Sequence, residues 1–186
     1  MEDPRPFGNH DLPGWVHLPN ISPLLYVGNQ RAPQQETFDV VVATVHTPHT
    51  NPRATTHNLH FDDQRGAETN AEVHVAKSRI RQGAKIVHDA VQNQKRVLVH
   101  CAWGQNRSCS ICCAYAVLYL NWTADRAIQY CREANVAGRS YRGQKPPNGG
   151  AMHNLVFCTL VAELEKENMD ETRNDESSPI RAMTQV

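Results

Sequence analysis

Residues 97 to 120, VLVHCAWGQNRSCSICCAYAVLYL, join an apolar run of four to an apolar run of a dozen and place a cysteine, a glycine and an arginine at the join. The first run is short and valine-rich, as a buried strand is; the second is apolar or small on every side, which describes a helix sunk in the middle of a domain. A buried strand feeding a buried helix calls for a layered α/β body, a sheet covered by helices. Ligands of open α/β sheets gather just beyond the carboxyl ends of the strands, and Cys101 is the first residue past VLVH.

The loop from Ala102 to Arg107 then enters a helix N-terminus, where unpaired backbone N–H groups and the helix dipole attract an anion. Gly104, in mid-loop, has the freedom to curl those N–H groups, those of Ala102, Trp103, Gln105 and Asn106 included, into one nest. A thiol at the base of such a nest is expected to ionise at neutral pH. Arg107 offers a planar fork able to hold two phosphate oxygens at once. The grouping predicts a Cys101 nucleophile aimed at the phosphorus of a phosphomonoester, with Arg107 and the loop amides stabilising the equatorial oxygens. Ser108 is placed to donate a hydrogen bond to the departing thiolate, and His100 to orient the loop.

The rest of the chain fits an alternation of strands and helices. LLYVGN (24–29) and FDVVVATV (38–45) read as buried strands and THNLHF (56–61) as a weaker one. Val73, Ala76, Ile80, Ala84, Val87 and Val91 recur at helical spacing, and a long helix between two strands suggests a parallel crossover. Residues 121–135 form a further helix behind a Thr123 cap, with Ala127, Ile128, Cys131 and Ala134 facing inward. Residues 138–150 read as a loop, and a last helix is expected over about 150–166. The division is a flexible lead over 1–14, one domain over 15–166, and a disordered polar tail over 167–186.

Composition narrows the function classes. With a net charge of zero over 186 residues, nothing favours bulk nucleic acid or an anionic membrane surface, so anion recognition has to be local. The lead is acidic and proline-containing rather than apolar, and the longest apolar run falls short of the ~20 residues that span a bilayer. A cytoplasmic protein is the expectation, with a nuclear one also compatible. The six cysteines show no secreted framework. Cys109 and Cys112 have zinc or redox spacing but sit in an apolar helix, which favours core filling; one of this cluster trapping an oxidised Cys101 is a lesser alternative. The ten histidines scatter through loops and read as solvated side chains instead of metal ligands.

HCAWGQNRS (100–108) resembles the signature of the cysteine-based protein tyrosine phosphatases: His-Cys, five residues including a glycine, then Arg-Ser. ISPLLYVGNQRAP (21–33), FDVVVATV and PPNGGAMHNL (146–155) resemble the small, atypical dual-specificity branch, over roughly residues 15–165. The resemblance implies a central, mostly parallel sheet of about five strands flanked by helices on both sides. It also implies hydrolysis through a phosphocysteine without metal or other cofactor, and a phosphorylated protein as partner.

That family takes its general acid from an aspartate on the loop before the long helix. Asp63 in LHFDD is the best match; Asp62, Glu68 and Glu72 are the alternatives, because this loop is longer than usual. The loop interior AWGQN has no lysine, unlike the lipid-directed members. Asn106 resembles the RNA 5'-triphosphatase relatives, so that activity stands as an alternative, and a catalytically silent phospho-binding module as another. Trp103 would wall the pocket or stack on an aromatic substrate. Arg139, Arg142 and Lys145 are candidates for contact with a second phosphate or an acidic segment.

Overall fold

Strand VLVH is the hub of the sheet. The computed structural model describes residues 14–46, 52–63, 69–140 and 150–176, with the backbone alone at 139–140 and 174–176. Among those residues the strands are β1 (Trp15–His17), β2 (Leu25–Gly28), β3 (Val40–Ala43), β4 (Thr55–Asn58) and β5 (Val97–His100), in the order β1-β2-β5-β3-β4. β5 lies parallel between β2 and β3, β4 adds parallel to β3, and only β1 runs antiparallel. All four residues of β5 and of β3 are buried, as strands covered on both faces must be. β4, with an exposed residue at each end, is an edge strand, which explains its weak pattern.

Among the described residues, five helices cover the sheet unequally: α1 (Ala32–Gln35), α2 (Asn70–Gln92), α3 (Arg107–Leu120), α4 (Ala124–Ser140) and α5 (Leu155–Glu176). One face carries the main core, where Val27, Val40, Val42, Val97 and Val99 meet Ile80, Ala84 and Val87 of α2, Ile111 and Tyr115 of α3, and Phe157, Leu160 and Leu164 of α5. Val41 and Leu98 point the other way, into a smaller cluster with Phe38 and with Ala32 of α1. α3, read as a buried helix, is enclosed along ten consecutive residues, Ser108 to Val117. Its cysteines 109, 112 and 113 are fully buried, as core filling requires.

Several boundaries differ from the sequence reading. β1 and α1 had no pattern long enough to read. α4 starts at Ala124 and runs to Ser140, past the expected loop start at 138, and its inward face includes Asn135, 1% exposed, with Ala134 only half-buried. Residues 150–154 are not the first turn of the last helix, because Gly150 (φ +98°) and Met152 (φ +51°) take left-handed conformations no helix admits. At its other end α5 continues through 167–176, ten residues into the expected tail. Glu167 accepts hydrogen bonds from Lys77 and Arg81 of α2, which gives those turns a partner the composition did not show. The expected loop residues Arg142 and Lys145, the side chain of Arg139, and residues 177–186 lie outside the described residues. Among those described, no helix is long and apolar enough to cross a membrane.

Candidate active site

β5 ends at His100, whose carbonyl accepts from both the backbone N–H and the hydroxyl of Thr44, at 3.0 and 3.1 Å. Its ring is fully buried, and burial pushes its pKa from 6.5 down to about 4, against a partial opposing pull from the Cys101 backbone. A neutral imidazole therefore stands under the loop at physiological pH.

Cys101 follows at the strand's carboxyl end, 3% exposed, its N–H donating to Gly28 O at 3.2 Å. Two donors converge on its sulfur: the Gly104 N–H at 3.1 Å and the Ser108 hydroxyl at 3.3 Å. Gly104 has φ +69°, and a Cβ there would come within 2.7 Å of the Gly28 carbonyl carbon, so the loop lies directly on the end of β2. The glycine read as a source of curl is needed for this close approach as well.

The loop is fastened from outside. Asn135 of α4 donates to Gly104 O at 3.1 Å. The Met152 N–H donates to Gln105 O at 3.2 Å, and the Asn106 side chain bonds to His153 and to the Asn154 N–H. Ala102, Trp103 and Arg107 are half-buried, whereas Gly104, Gln105, Asn106 and Ser108 are buried. α3 starts at Arg107, its first turn closed by the Ser110 N–H on Asn106 O at 2.8 Å, so its N-terminal end abuts the sulfur. Cys101, Arg107, Ser108 and His100 are thus all at one strand-to-helix turn.

The carboxylates separate. Arg107 Nη1 donates to Phe61 O at 3.2 Å, which ties the loop after β4 to the guanidinium two residues before Asp63. Asp63 is half-buried, and its Oδ1 is buried with no hydrogen-bond partner among the described residues, while Asp62 is exposed. Glu72 is occupied elsewhere: it accepts from the Thr69 N–H and hydroxyl, both at 2.8 Å, closing the capping box of α2. Glu68 lies outside the described residues.

Asn135, His153 and Asn154, which bond to the loop from outside, are residues that sequence reasoning missed. Asn135 did leave a trace, falling four residues after Cys131 on the apolar stripe of α4, where a lone polar side chain needs a buried partner. His153 and Asn154 left none, because they were expected inside a helix.

The family model described as "Dual specificity phosphatase, catalytic domain" matches residues 25–158 of the chain. Among solved structures the fold is similar to a mouse putative dual specificity phosphatase complexed with zinc tungstate, at TM-score 0.67 and 20% identity over 89% of this chain and 94% of that one. It is also similar to human DUSP28, at TM-score 0.61 and 19% identity over 84% and 96% of the two chains. A third likeness is to OH1 from the Orf virus, a tyrosine phosphatase with triple substrate specificity, at TM-score 0.58 and 19% identity over 86% and 91%.

Proposed function

The chain belongs to the dual-specificity phosphatase family and is a cysteine-based phosphatase; on that premise we propose that it dephosphorylates phosphotyrosine in proteins, and phosphoserine and phosphothreonine too, through a phosphocysteine at Cys101. The observation that carries the reading is the convergence of the Gly104 and Ser108 donors on one sulfur at the mouth of α3, with Arg107 beside it.

In the first step the Cys101 thiolate attacks phosphorus, forming the S–P bond as the P–O bond to the substrate breaks. Asp63 gives its proton to the departing phenoxide or alkoxide. Arg107 leaves its contact with Phe61 O, or shares it, to hold two equatorial oxygens, and the loop amides and the α3 N-terminus take the remaining charge. In the second step Asp63, now a carboxylate, removes a proton from water as its oxygen attacks phosphorus. The S–P bond breaks, inorganic phosphate leaves, and Ser108 donates to the sulfur that carries the released electron pair.

Steady-state hydrolysis of an aryl phosphate is the direct test, with phosphotyrosine and phosphothreonine peptides alongside. Cys101→Ser should be inactive and Arg107→Ala nearly so, and acid quench of the wild type should trap one phosphate per chain on Cys101, read by mass spectrometry. Full turnover by Cys101→Ser would end the proposal; phosphopeptide binding without turnover would favour the silent module. Faster phosphate release from triphosphate-ended RNA than from phosphopeptide would favour the RNA reading. The Asn106 amide, which carried that resemblance, is engaged by His153 and Asn154.

A further inference from the structure

Asn106 occupies the N-cap position of α3, where an asparagine side chain ordinarily folds back onto the first helical N–H groups. Here it makes no capping bond and its backbone is in the helical region (φ −97°, ψ −71°). The amide reaches outward to the short segment from Gly150 to Asn154. Its Oδ1 accepts the Asn154 N–H at 3.3 Å and its Nδ2 meets His153 Nε2 at 3.2 Å. An amide nitrogen can only donate, so Nε2 must be the bare acceptor. The other ring nitrogen, Nδ1, lies 3.1 Å from Gly150 O, which can only accept, so Nδ1 carries the proton. Both partners fix the same neutral tautomer.

The segment is itself built to hold that pose. Met152 has a left-handed φ of +51°, unusual for a side chain of its size, and its carbonyl is gripped by Arg132 at 2.7 Å while its N–H reaches Gln105 O. Strain of this kind persists only where the surroundings over-determine it. Here they aim the His153 ring and the Asn154 N–H at a single side chain, that of Asn106.

We propose that His153 is a positioning residue for the anion loop: by taking the Asn106 amide it keeps that side chain off the α3 N-terminus, so that the first N–H groups of the helix remain available to the substrate phosphate. Without that acceptor the amide is held only through Oδ1 by the Asn154 N–H, and Asn106 turns toward the cap, where the same oxygen competes with the phosphate for the helix donors. The inference rests on the phosphatase reading for its consequence in turnover, but not for its consequence in anion binding.

The test therefore has two arms. Calorimetric titration of orthovanadate into wild type, His153→Ala, His153→Gln, Asn106→Ala and the His153→Ala/Asn106→Ala double variant reads the loop directly; kcat and KM for an aryl phosphate read its use. Loss of one such hydrogen bond should weaken vanadate binding and lower kcat/KM by about three- to tenfold in His153→Ala. His153→Gln, which can present an acceptor oxygen at the same place, should recover most of the loss. Because the effect passes through Asn106, the double variant should lose no more than the weaker single one. Losses that multiply in the double variant, or no loss of vanadate affinity in a folded His153→Ala, would overturn the inference. An inactive wild type that still shows the coupled vanadate losses would sink the phosphatase reading and leave the positioning role standing.

Discussion

Asp63 lies two residues past the Phe61 carbonyl that Arg107 grips, and its buried Oδ1 has no hydrogen-bond partner among the described residues. An unsatisfied buried carboxylate oxygen costs stability, and the proposed role as general acid gives that cost a use. We expect Asp63→Asn to slow phenyl phosphate by about 10²- to 10³-fold, the usual worth of a general acid, and p-nitrophenyl phosphate much less, since that leaving group hardly needs a proton. Asp62→Asn should change either rate little. Equal losses on both leaving groups in Asp63→Asn, or the leaving-group dependence appearing in Asp62→Asn, would move the role away from Asp63. The sequence offered Asp63 as a candidate through the resemblance of LHFDD to the family's pattern, although this loop is longer than the family's usual one. His153, Asn135 and Gly28 were not legible, since each reaches the loop from a distant part of the chain and a single sequence carries no record of that meeting.

Among the helices, Gly83 of α2 faces Ile111 of α3, and an added Cβ there would lie 2.7 Å from Ile111 Cδ1 and 3.0 Å from both its Cγ atoms. Two effects oppose each other in Gly83→Ala. Helix propensity favours alanine by about 1 kcal/mol, whereas overpacking a fully buried β-branched neighbour costs about 1–3 kcal/mol. Ile111 is fully buried in the central helix and its χ1 is stiff, so packing should win. The expected result is a net loss of about 1 kcal/mol in urea unfolding, with a smaller loss or a gain in Gly83→Ala/Ile111→Val; a stabilised single variant would show that the helices separate freely. The amphipathic stripe of α2 was plain in the sequence because it faces one neighbour. α5 was misjudged at both ends for opposite reasons: its start yields to the backbone demanded by Gly150 and Met152, and its last turns depend on Lys77 and Arg81, some ninety residues earlier.

At the level of the whole molecule, the site constrains stability through His100. The sheet places this ring, fully buried, at the base of the 101–107 loop, and burial lowers its pKa from 6.5 to about 4. In the unfolded chain the same ring titrates near its ordinary ~6.5. Above that value neither state binds the proton and the full stability is present. As pH falls from 6.5 toward 4, the unfolded chain takes up a proton that the folded chain refuses, so stability is lost across that window. A shift of this size corresponds to about 3 kcal/mol once both states are protonated, a large share of the 5–15 kcal/mol that holds a domain together. Carboxylates titrate over part of the same range, so the useful quantity is the difference between wild type and His100→Gln, in which they cancel. The variant should be less stable at pH 7.5, and the gap should narrow steadily toward pH 4.5 in urea unfolding. Ring resonances of His100 followed by NMR should stay those of neutral imidazole down to about pH 5. A gap that keeps its size from pH 7.5 to 4.5, or a ring that protonates near pH 6.5 in the folded protein, would mean that water reaches His100 and that the strand end is more open than the sheet geometry makes it.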